Sequence, residues 1–174
     1  MKKGIVLVLA VLAFYACEKP AKIGFVDNST LINDYEEKKE LEALMKVKIE
    51  NFEKRNDSIG RSFQMEVQDA QIKAAKMSQK KQEELMGQLQ NKQTMLQRQF
   101  QMDENAIKQE SQTKNDSIIN KIKRFIEKYG EKNGYDFIMG KNEFTGNLYY
   151  GKETYDLTKT MLEELNKQYA AEKK

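Results

Sequence analysis

The segment MSQKKQEEL, residues 77–85, decides how the chain folds, because it interrupts an otherwise continuous helical pattern. No apolar residue lies between Met77 and Leu85. Ser78 belongs to the residue types that most often begin a helix, and two glutamates follow it within the next turns. We therefore expect the chain to end one helix, reverse direction at about residues 76–80 and begin a second helix there.

When the polar residues in vacant turns are counted with them, apolar residues recur at a mean step of about 3.6 on both sides of this interruption, which is the period of an α-helix. The stripe before it consists of Leu41, Met45, Ile49, Phe52, Ile59, Phe63, Val67, Ala70, Ala74 and Met77. The stripe after it consists of Leu85, Leu89, Leu96, Phe100, Ile107, Ile118, Ile122, Phe125 and Tyr129. Each stripe is narrow, so each helix can bury one seam and must leave its other faces in solvent.

The two stripes predict an antiparallel helical hairpin over residues 29–129, with arms of roughly 45–50 residues and about 70 Å each at 1.5 Å per residue. Polar residues occupy the vacant turns of the stripes, and Asn56 fills such a turn in the first one. A single uninterrupted helix of about 100 residues is the alternative. Pro20 is the only proline of the 174 residues, so no later proline forces a helix to break.

Short strands are predicted on both sides of the hairpin. In the first of them, residues 22–27 (KIGFVD), alternate positions place Ile23 and Phe25 on one face of a short strand. Residues 135–139 and 147–150 are aromatic and branched runs bounded by glycines, which indicates two strands joined by a loop. A final amphipathic helix follows, and we expect Asp156 or Thr158 to cap its first turn.

These elements predict an α+β fold, in which a small β-rich body with a C-terminal helix carries the long hairpin. The body comprises residues 23–28 and 130–174, about 50 residues, and a unit of that size rarely buries enough surface to be stable alone. Its strand edges also need a partner. We therefore expect an oligomer, and a dimer or a trimer would satisfy this argument equally. The residues expected in the core of the body or in the oligomer interface are Ile23, Phe25, Tyr135, Phe137, Ile138, Leu148, Tyr149 and Leu157.

The N-terminus has the pattern of an export signal. Two lysines precede an apolar run over residues 5–14, which is too short to span a bilayer. Cys17 follows this run and a small residue, an arrangement that resembles the lipobox of bacterial lipoproteins. We therefore expect residues 1–16 to be a signal peptide, Cys17 to be lipidated, and residues 17–22 to be a tether. Ordinary cleavage after Ala13 is the alternative, and either route takes the protein out of the cytoplasm.

The composition argues against several classes of function. With one cysteine and no histidine, the chain can build neither a disulfide framework nor a cysteine–histidine zinc site, so we expect no metal and no cofactor. It has no glycine-rich phosphate loop and no plausible nucleophile, so we expect no catalytic residue and no enzyme. The formal net charge of +3 is not the strong basic asymmetry of a nucleic-acid-binding domain, so nucleic acid is not an expected partner.

Three short segments carry a resemblance to a known family. They are KIGFVD at residues 22–27, GYDFIM at residues 134–139 and YDLT at residues 155–158. In this order, with the hairpin between the first two, they resemble the Skp/OmpH family of periplasmic chaperones. Members of that family are typically soluble and strongly basic. This chain departs from both features, because it has a predicted acyl anchor and because loss of two of its 30 basic residues with the signal peptide leaves 28 against 27 acidic residues.

The resemblance implies a homotrimer in the Gram-negative periplasm, whose three hairpins enclose a cavity for unfolded outer-membrane proteins and hold them without ATP. The candidate client-binding residues are four methionines beside the stripes and two phenylalanines on them: Met65, Met86, Met95, Met102, Phe63 and Phe100. Methionine is flexible and adapts to many partners. Packing in the seam is the alternative role of the phenylalanines. A structural adaptor that docks its hairpin onto an envelope complex is the alternative function of the protein.

The reversal between the helices is basic. No acidic residue lies between Gln71 and Gln82, and the local charge is +4. Such a cluster could contact acidic phospholipid or lipopolysaccharide, which would give the protein a second membrane contact besides Cys17. A solvated turn is the alternative. The lysines of this basic tip are Lys73, Lys76, Lys80 and Lys81.

Overall fold

The computed structural model describes residues 20–142 and 147–173. In chain order, these residues form strand β1 (Ile23–Asp27), helix α1 (Asn28–Asn33), helix α2 (Glu36–Ala74), helix α3 (Gln79–Asn133), strand β2 (Phe137–Lys141), a 3-10 turn (Glu153–Tyr155) and helix α4 (Thr158–Glu172). The predicted signal peptide, Cys17 and the start of the tether lie outside the described residues.

Helices α2 and α3 form the predicted antiparallel hairpin, so the expectation of two helices rather than one is confirmed. The reversal occupies residues 75–78. Ser78 stands at the N-cap of α3 with an extended backbone, but its side chain makes no capping hydrogen bond. The Gln82 side chain closes the turn by donating to the carbonyl oxygens of Ala74, at 2.8 Å, and Met77, at 3.1 Å.

The first arm is shorter than predicted. Helix α2 has 39 residues and is about 58 Å long at 1.5 Å per residue, because the residues before it form the separate helix α1. Asp27 caps α1 by accepting the Thr30 N–H at 2.9 Å. The backbone is extended again at Tyr35, so the hairpin begins at Glu36 and not at residue 29.

The seam between the arms changes along its length. Its end beside the body, which we call the root, buries Leu41 and Met45 of α2 and Ile118, Ile122 and Phe125 of α3. Near the tip, the buried residues are Ala70, Ala74 and Leu89. In between, the seam side chains are half-buried except for Ile49, which is exposed. Three ion pairs join the arms there: Lys48 with Glu110, Arg55 with Asp103, and Lys92 with Glu66. Apolar packing is therefore densest at the root.

Strands β1 and β2 form a two-stranded parallel sheet, in which Ile23 stands opposite Phe137. Parallel strands need a long crossover connection, and the hairpin is that connection. Gly24 lies on the inner face of the sheet, where a Cβ atom would come within 2.4 Å of the Leu157 side chain. Glycine at this position therefore lets the sheet approach the residue that precedes α4.

The predicted third strand at residues 147–150 is wrong, because these residues have no strand structure. The edge of β1 that faces away from β2 is taken by a later segment. The Leu157 N–H donates to the carbonyl oxygen of Phe25 at 2.8 Å, and Asp156 forms a bridge with Phe25. Gly151 lies against the Phe25 ring and helps to bury it. Residues 147–150 therefore have no edge of β1 to join.

Helix α4 completes the core at the root. Its Met161 and Leu165 are fully buried in one cluster with Leu31 and Tyr35. Asp156, one of the two predicted capping residues, accepts the backbone N–H of the first residue of α4 at 2.8 Å. The root of the hairpin and the body therefore share a single hydrophobic core.

Polar contacts tie the arms and α4 together at the root, and we call this group of contacts the root clamp. Lys121 of α3 donates to Glu37 of α2 and to Glu172 of α4, at 2.7 Å each. Burial opposes the charged form of Lys121, but its hydrogen bonds to Glu172 and Glu37 outweigh burial and raise its pKa. Tyr35 donates its hydroxyl to Glu37 at 2.6 Å, and burial together with that carboxylate raises the Tyr35 pKa.

The second half of the root clamp joins the end of α4 to α2. Glu40 accepts a hydrogen bond from the Tyr169 hydroxyl at 2.8 Å and from the Lys173 ammonium at 2.6 Å. The hydrogen bonds from Lys173 and Tyr169 lower the pKa of Glu40. Both arms are therefore held at the root through α4 as well as through the seam.

Candidate client-binding surface

The arms present single apolar side chains on surfaces that are otherwise polar. Met65 on α2, and Met95 and Met102 on α3, are exposed over 61%, 65% and 67% of their surfaces. Met65 stands two positions after Phe63, which lies on the seam stripe, so it faces the opposite side of the helix. Met86, exposed over 42%, lies beside the seam near the tip. The four predicted methionines are thus accessible.

The two predicted phenylalanines lie elsewhere. Phe63 and Phe100 occupy the seam stripes, and both are half-buried. The structure does not bring them together with the outward-facing methionines, which lie across their helices. Their position favours packing between the arms. The part of each ring that stays exposed lies beside the seam. A contact of these residues with a client stays a prediction.

The basic tip is formed as the sequence suggests. Its four lysines are exposed on either side of the reversal at residues 75–78. Within the described part of the chain, none of them forms an ion pair. The four ammonium groups are therefore free to pair with an external anion at this end of the molecule. They are Lys73, Lys76, Lys80 and Lys81.

The predicted body core separates into two groups. Phe25 and Leu157 are buried, and Tyr135, Ile138 and Leu148 are half-buried. Ile23, Phe137 and Tyr149 lie outside the core of the single chain, with 39%, 62% and 92% of their surfaces exposed. The physical reason is that the inner face of the sheet packs on helices, whereas on the outer face the described part of the chain covers Phe25, beside Gly151, and leaves Ile23 and Phe137 open.

Ile23, Phe137 and Met139 together form what we call the outer sheet face. Their strand positions alternate with those of Gly24, Ile138 and Gly140, so all three point to one side of the sheet. Each is exposed over at least 39% of its surface. An exposed apolar sheet face is typical of a surface that another molecule covers, and it lies at the opposite end of the hairpin from the tip.

Comparison with known proteins identifies the family. A model of the OmpH-like outer membrane proteins matches residues 22–165. The chain belongs to the OmpH-like family. Its fold is similar to the crystal structure of a Caulobacter crescentus CB15 protein described as an OmpH-like outer membrane chaperone, with 12% sequence identity, a TM-score of 0.75 and 87% of each chain covered. At that identity the likeness shows the fold. No curated protein matches the sequence at a significant level.

Sequence analysis missed further exposed apolar residues on the first arm of this OmpH-like protein. Leu44, Val47 and Ile72 are exposed over 52%, 54% and 66% of their surfaces. Val47 and Ile72 each lie two positions after a seam residue, and that spacing could have revealed them. Ile49 was expected in the seam but is exposed over 43%. All four extend the accessible apolar surface of α2.

The OmpH-like arms offer surface side chains and shallow grooves. The groove beside Met65 is bordered by charges of both signs, including Glu66, Asp69 and Lys92. Residues 20–142 and 147–173 contain no cluster of cysteine, histidine or carboxylate side chains that could hold a metal ion. No helix within those residues is long and apolar enough to cross a membrane. The candidate site is therefore an open, mixed surface along both arms.

Proposed function

We propose that this OmpH-like protein is an ATP-independent periplasmic holdase that keeps unfolded outer-membrane proteins soluble between its helical arms. Membership of the OmpH-like family and the hairpin fold support a chaperone role in broad terms. The observation that carries the finer proposal is the exposure of single methionines on polar arms. Met65, Met95 and Met102 each expose more than 60% of their surface.

Scattered methionines suit a client that has no fixed shape. Strands of membrane barrels carry apolar side chains at alternate positions, and these are exposed while the strand is unfolded. Flexible methionine side chains adapt to many such partners. Each contact contributes a fraction of the roughly 1.5–3 kcal/mol that full burial of a methionine provides. Many such weak contacts act jointly to hold the client. Each contact can break separately, so release requires no nucleotide.

The proposed assembly is a homotrimer, joined through the bodies. The outer sheet face gives each body an apolar surface for neighbouring copies to cover. The exposed Tyr149 extends the accessible aromatic surface of the body. The number three follows the resemblance to the Skp/OmpH family, and three hairpins on a common body would surround a cavity. Sedimentation velocity tests this assembly, and a monomer at every concentration would contradict it.

Membrane attachment is proposed at two places. Acylation of Cys17 would anchor the N-terminal tether in a bilayer, and the basic tip would contact anionic lipid. Lysines near an anionic surface contribute about 1 kcal/mol each, and the tip has four of them. Mass spectrometry of the membrane-extracted protein tests the anchor. An unmodified Cys17, or a chain that begins at residue 14, would contradict it.

Light scattering of an outer-membrane β-barrel protein diluted from urea tests the holdase proposal. We expect a molar excess of the OmpH-like protein to suppress aggregation without nucleotide. The combined variant Met65→Gln, Met95→Gln and Met102→Gln should suppress it less, because glutamine keeps the length and helix propensity of methionine but removes the apolar surface. Equal aggregation with and without the wild-type protein would contradict the proposal.

A matched control separates loss of contact from loss of structure. The exposed glutamines Gln64, Gln97 and Gln101 lie near the three methionines in the sequence. Their combined replacement by alanine changes the same number of exposed positions but leaves the apolar surface in place. We expect this control to suppress aggregation as well as the wild type does. If it fails as the methionine variant does, the methionines are not the client surface.

A further inference from the structure

A groove at the root has no part in the proposed binding of clients. It lies between the last turns of α3 and helix α4, and it has a volume of about 300 Å³. Its floor includes Phe125 and Leu165, which are exposed over 7% and 1% of their surfaces. We call it the root groove. The floor is therefore apolar and already well packed, while the groove above it is open to solvent.

One wall of the root groove is a row of cations. Arg124, Lys128 and Lys132 follow one another at four-residue intervals, so they stand one per turn along the same face of α3, about 6 Å apart. All three are exposed. Within residues 20–142 and 147–173, none of them forms an ion pair. The row therefore presents three cations without a salt-bridge partner along about 12 Å of helix.

The other wall is less charged, and one end is closed. Lys121 extends the cation row but is held by Glu37 and Glu172, at 2.7 Å each, so it is not free to bind a ligand. Glu164 and Gln168 of α4 line the opposite side. The open part of the groove therefore has three free cations against one carboxylate, and it attracts anions.

Phe125 and Tyr129, which line the groove, belong to a row of three aromatic rings that ends at Tyr135 outside it. The Phe125 and Tyr129 ring centroids are 6.1 Å apart, and those of Tyr129 and Tyr135 are also 6.1 Å apart. Burial raises the pKa of Tyr129, and the neighbouring Tyr135 and Glu164 raise it further, so its hydroxyl stays neutral. The groove thus combines an apolar strip with a parallel strip of positive charge.

We propose that the root groove binds an acidic peptide segment of a partner protein, whose carboxylates pair with Arg124, Lys128 and Lys132. Its apolar side chains would contact the half-buried Tyr129 ring, which lines the groove above the packed floor. A compact phosphate needs donors that converge on one point, whereas these cations are spread along a line. A flat lipid surface would reach the cations but not the recessed floor between two helices. A chain with charges at intervals matches both strips, and the Gln168 amide can pair with its backbone.

Fluorescence anisotropy of a short labelled peptide, in which glutamates alternate with leucines, tests this proposal on the purified protein. The groove variant combines Arg124→Gln, Lys128→Gln and Lys132→Gln, all at exposed positions, so it should fold. We expect it to bind the peptide about tenfold more weakly than the wild type, since each exposed charge pair contributes only modestly to affinity. A peptide with glutamine in place of glutamate should not bind the wild type.

The control variant removes the same charges elsewhere. Lys46, Lys54 and Arg98 are exposed on the arms, and their combined replacement by glutamine should leave peptide affinity within about twofold of the wild type. Equal weakening by both variants, or no binding of the acidic peptide by the wild type, would overturn the proposal. So would a groove variant that loses binding to vesicles of anionic lipid while keeping the peptide, because the groove would then face a membrane. Suppression of client aggregation should be unchanged in the groove variant.

Discussion

The root and the distal part of the hairpin are built from the same two helices but are stabilised differently. At the root, α2 and α3 pack with α1, α4 and the sheet, and the buried cluster extends from Met45 to Met161. Beyond Met45, the described arms have only each other to pack against. Their buried residues there are Ala70, Ala74 and Leu89.

The difference shows that packing of α1, α4 and the sheet against the two arms, and not the seam alone, stabilises the root. A pair of helices with narrow stripes buries little surface per turn, so the distal arms are expected to open locally at lower free energy than the root. Met65, Met95 and Met102 all lie in this distal part. The surface proposed for clients is therefore also the part of the fold that can adapt its shape.

The largest effect is expected where the root is most tightly packed. Leu165 is exposed over 1% of its surface in the shared core. Leu165→Ala should lower the free energy of unfolding by about 4 kcal/mol, because it removes buried methyl groups and leaves a cavity. Denaturant unfolding followed by circular dichroism measures the change. A loss of about 2 kcal/mol or less would mean that the root is no better packed than the arms.

A smaller effect is expected for the same substitution in the distal arm. Leu89→Ala should cost about 2 kcal/mol, because fewer atoms surround Leu89 and the site can collapse or admit water. Hydrogen exchange should become faster in the distal helices while amides at the root keep their protection. If root and distal amides lose protection together, the hairpin opens as one unit and the contrast between the two regions is wrong.

The middle of the seam contains a polar atom whose replacement should stabilise the arms. The Asn56 Oδ1 is buried and has no hydrogen-bond partner among the described residues. Asn56→Leu should raise the free energy of unfolding by about 1 kcal/mol, since an unsatisfied buried group is replaced by an apolar one. Thermal unfolding measures this, and Asn51→Leu, at an exposed position, is the control without an expected gain. A destabilised Asn56→Leu variant would show that the amide fixes the pairing of the arms.

The smallest effect is expected at the root clamp, and it depends on pH. Because its hydrogen bonds lower the pKa of Glu40, its contribution to stability is present above the ordinary glutamate value of 4.5 and is lost as pH falls through the lowered value. Glu40→Gln should therefore lower the thermal midpoint slightly at about pH 7, and the difference from wild type should vanish at about pH 3. Glu50→Gln, on the exposed arm, should show neither effect. A difference that is constant with pH would exclude the titration of Glu40 as its cause.

The arms can be predicted from the sequence because helical periodicity is a local signal. The stripes, and the lack of apolar residues between Met77 and Leu85, are sufficient to place the reversal. In the structure it lies at residues 75–78. The outward position of Met65 likewise follows from its offset from Phe63. Helix α1 was missed because six residues hold less than two turns of pattern, and its cap, Asp27, also ends a strand.

The body is harder to predict because its contacts join residues that are far apart in the chain. The aromatic and branched run at residues 147–150, bounded by glycines, is typical of a strand, but Leu157 takes the edge of β1 that such a strand would need. The root groove was missed for the same reason. Its cation row resembles an ordinary solvated helix face until α4 is seen beside it, and Glu164 and Gln168 are not near that row in sequence.

The parallel sheet has a consequence for the order in which the molecule folds. Lys22 and Asp136, at the start of the two strands, are hydrogen-bonded at 2.6 Å although 114 residues separate them. The helices and the tip turn need only neighbouring residues, so they can form much earlier than this pairing. A chain that emerges with its N-terminus first must keep β1 unpaired until the second arm returns with β2. Formation of the hairpin therefore brings the two strands of the body together before the arms bind any other protein.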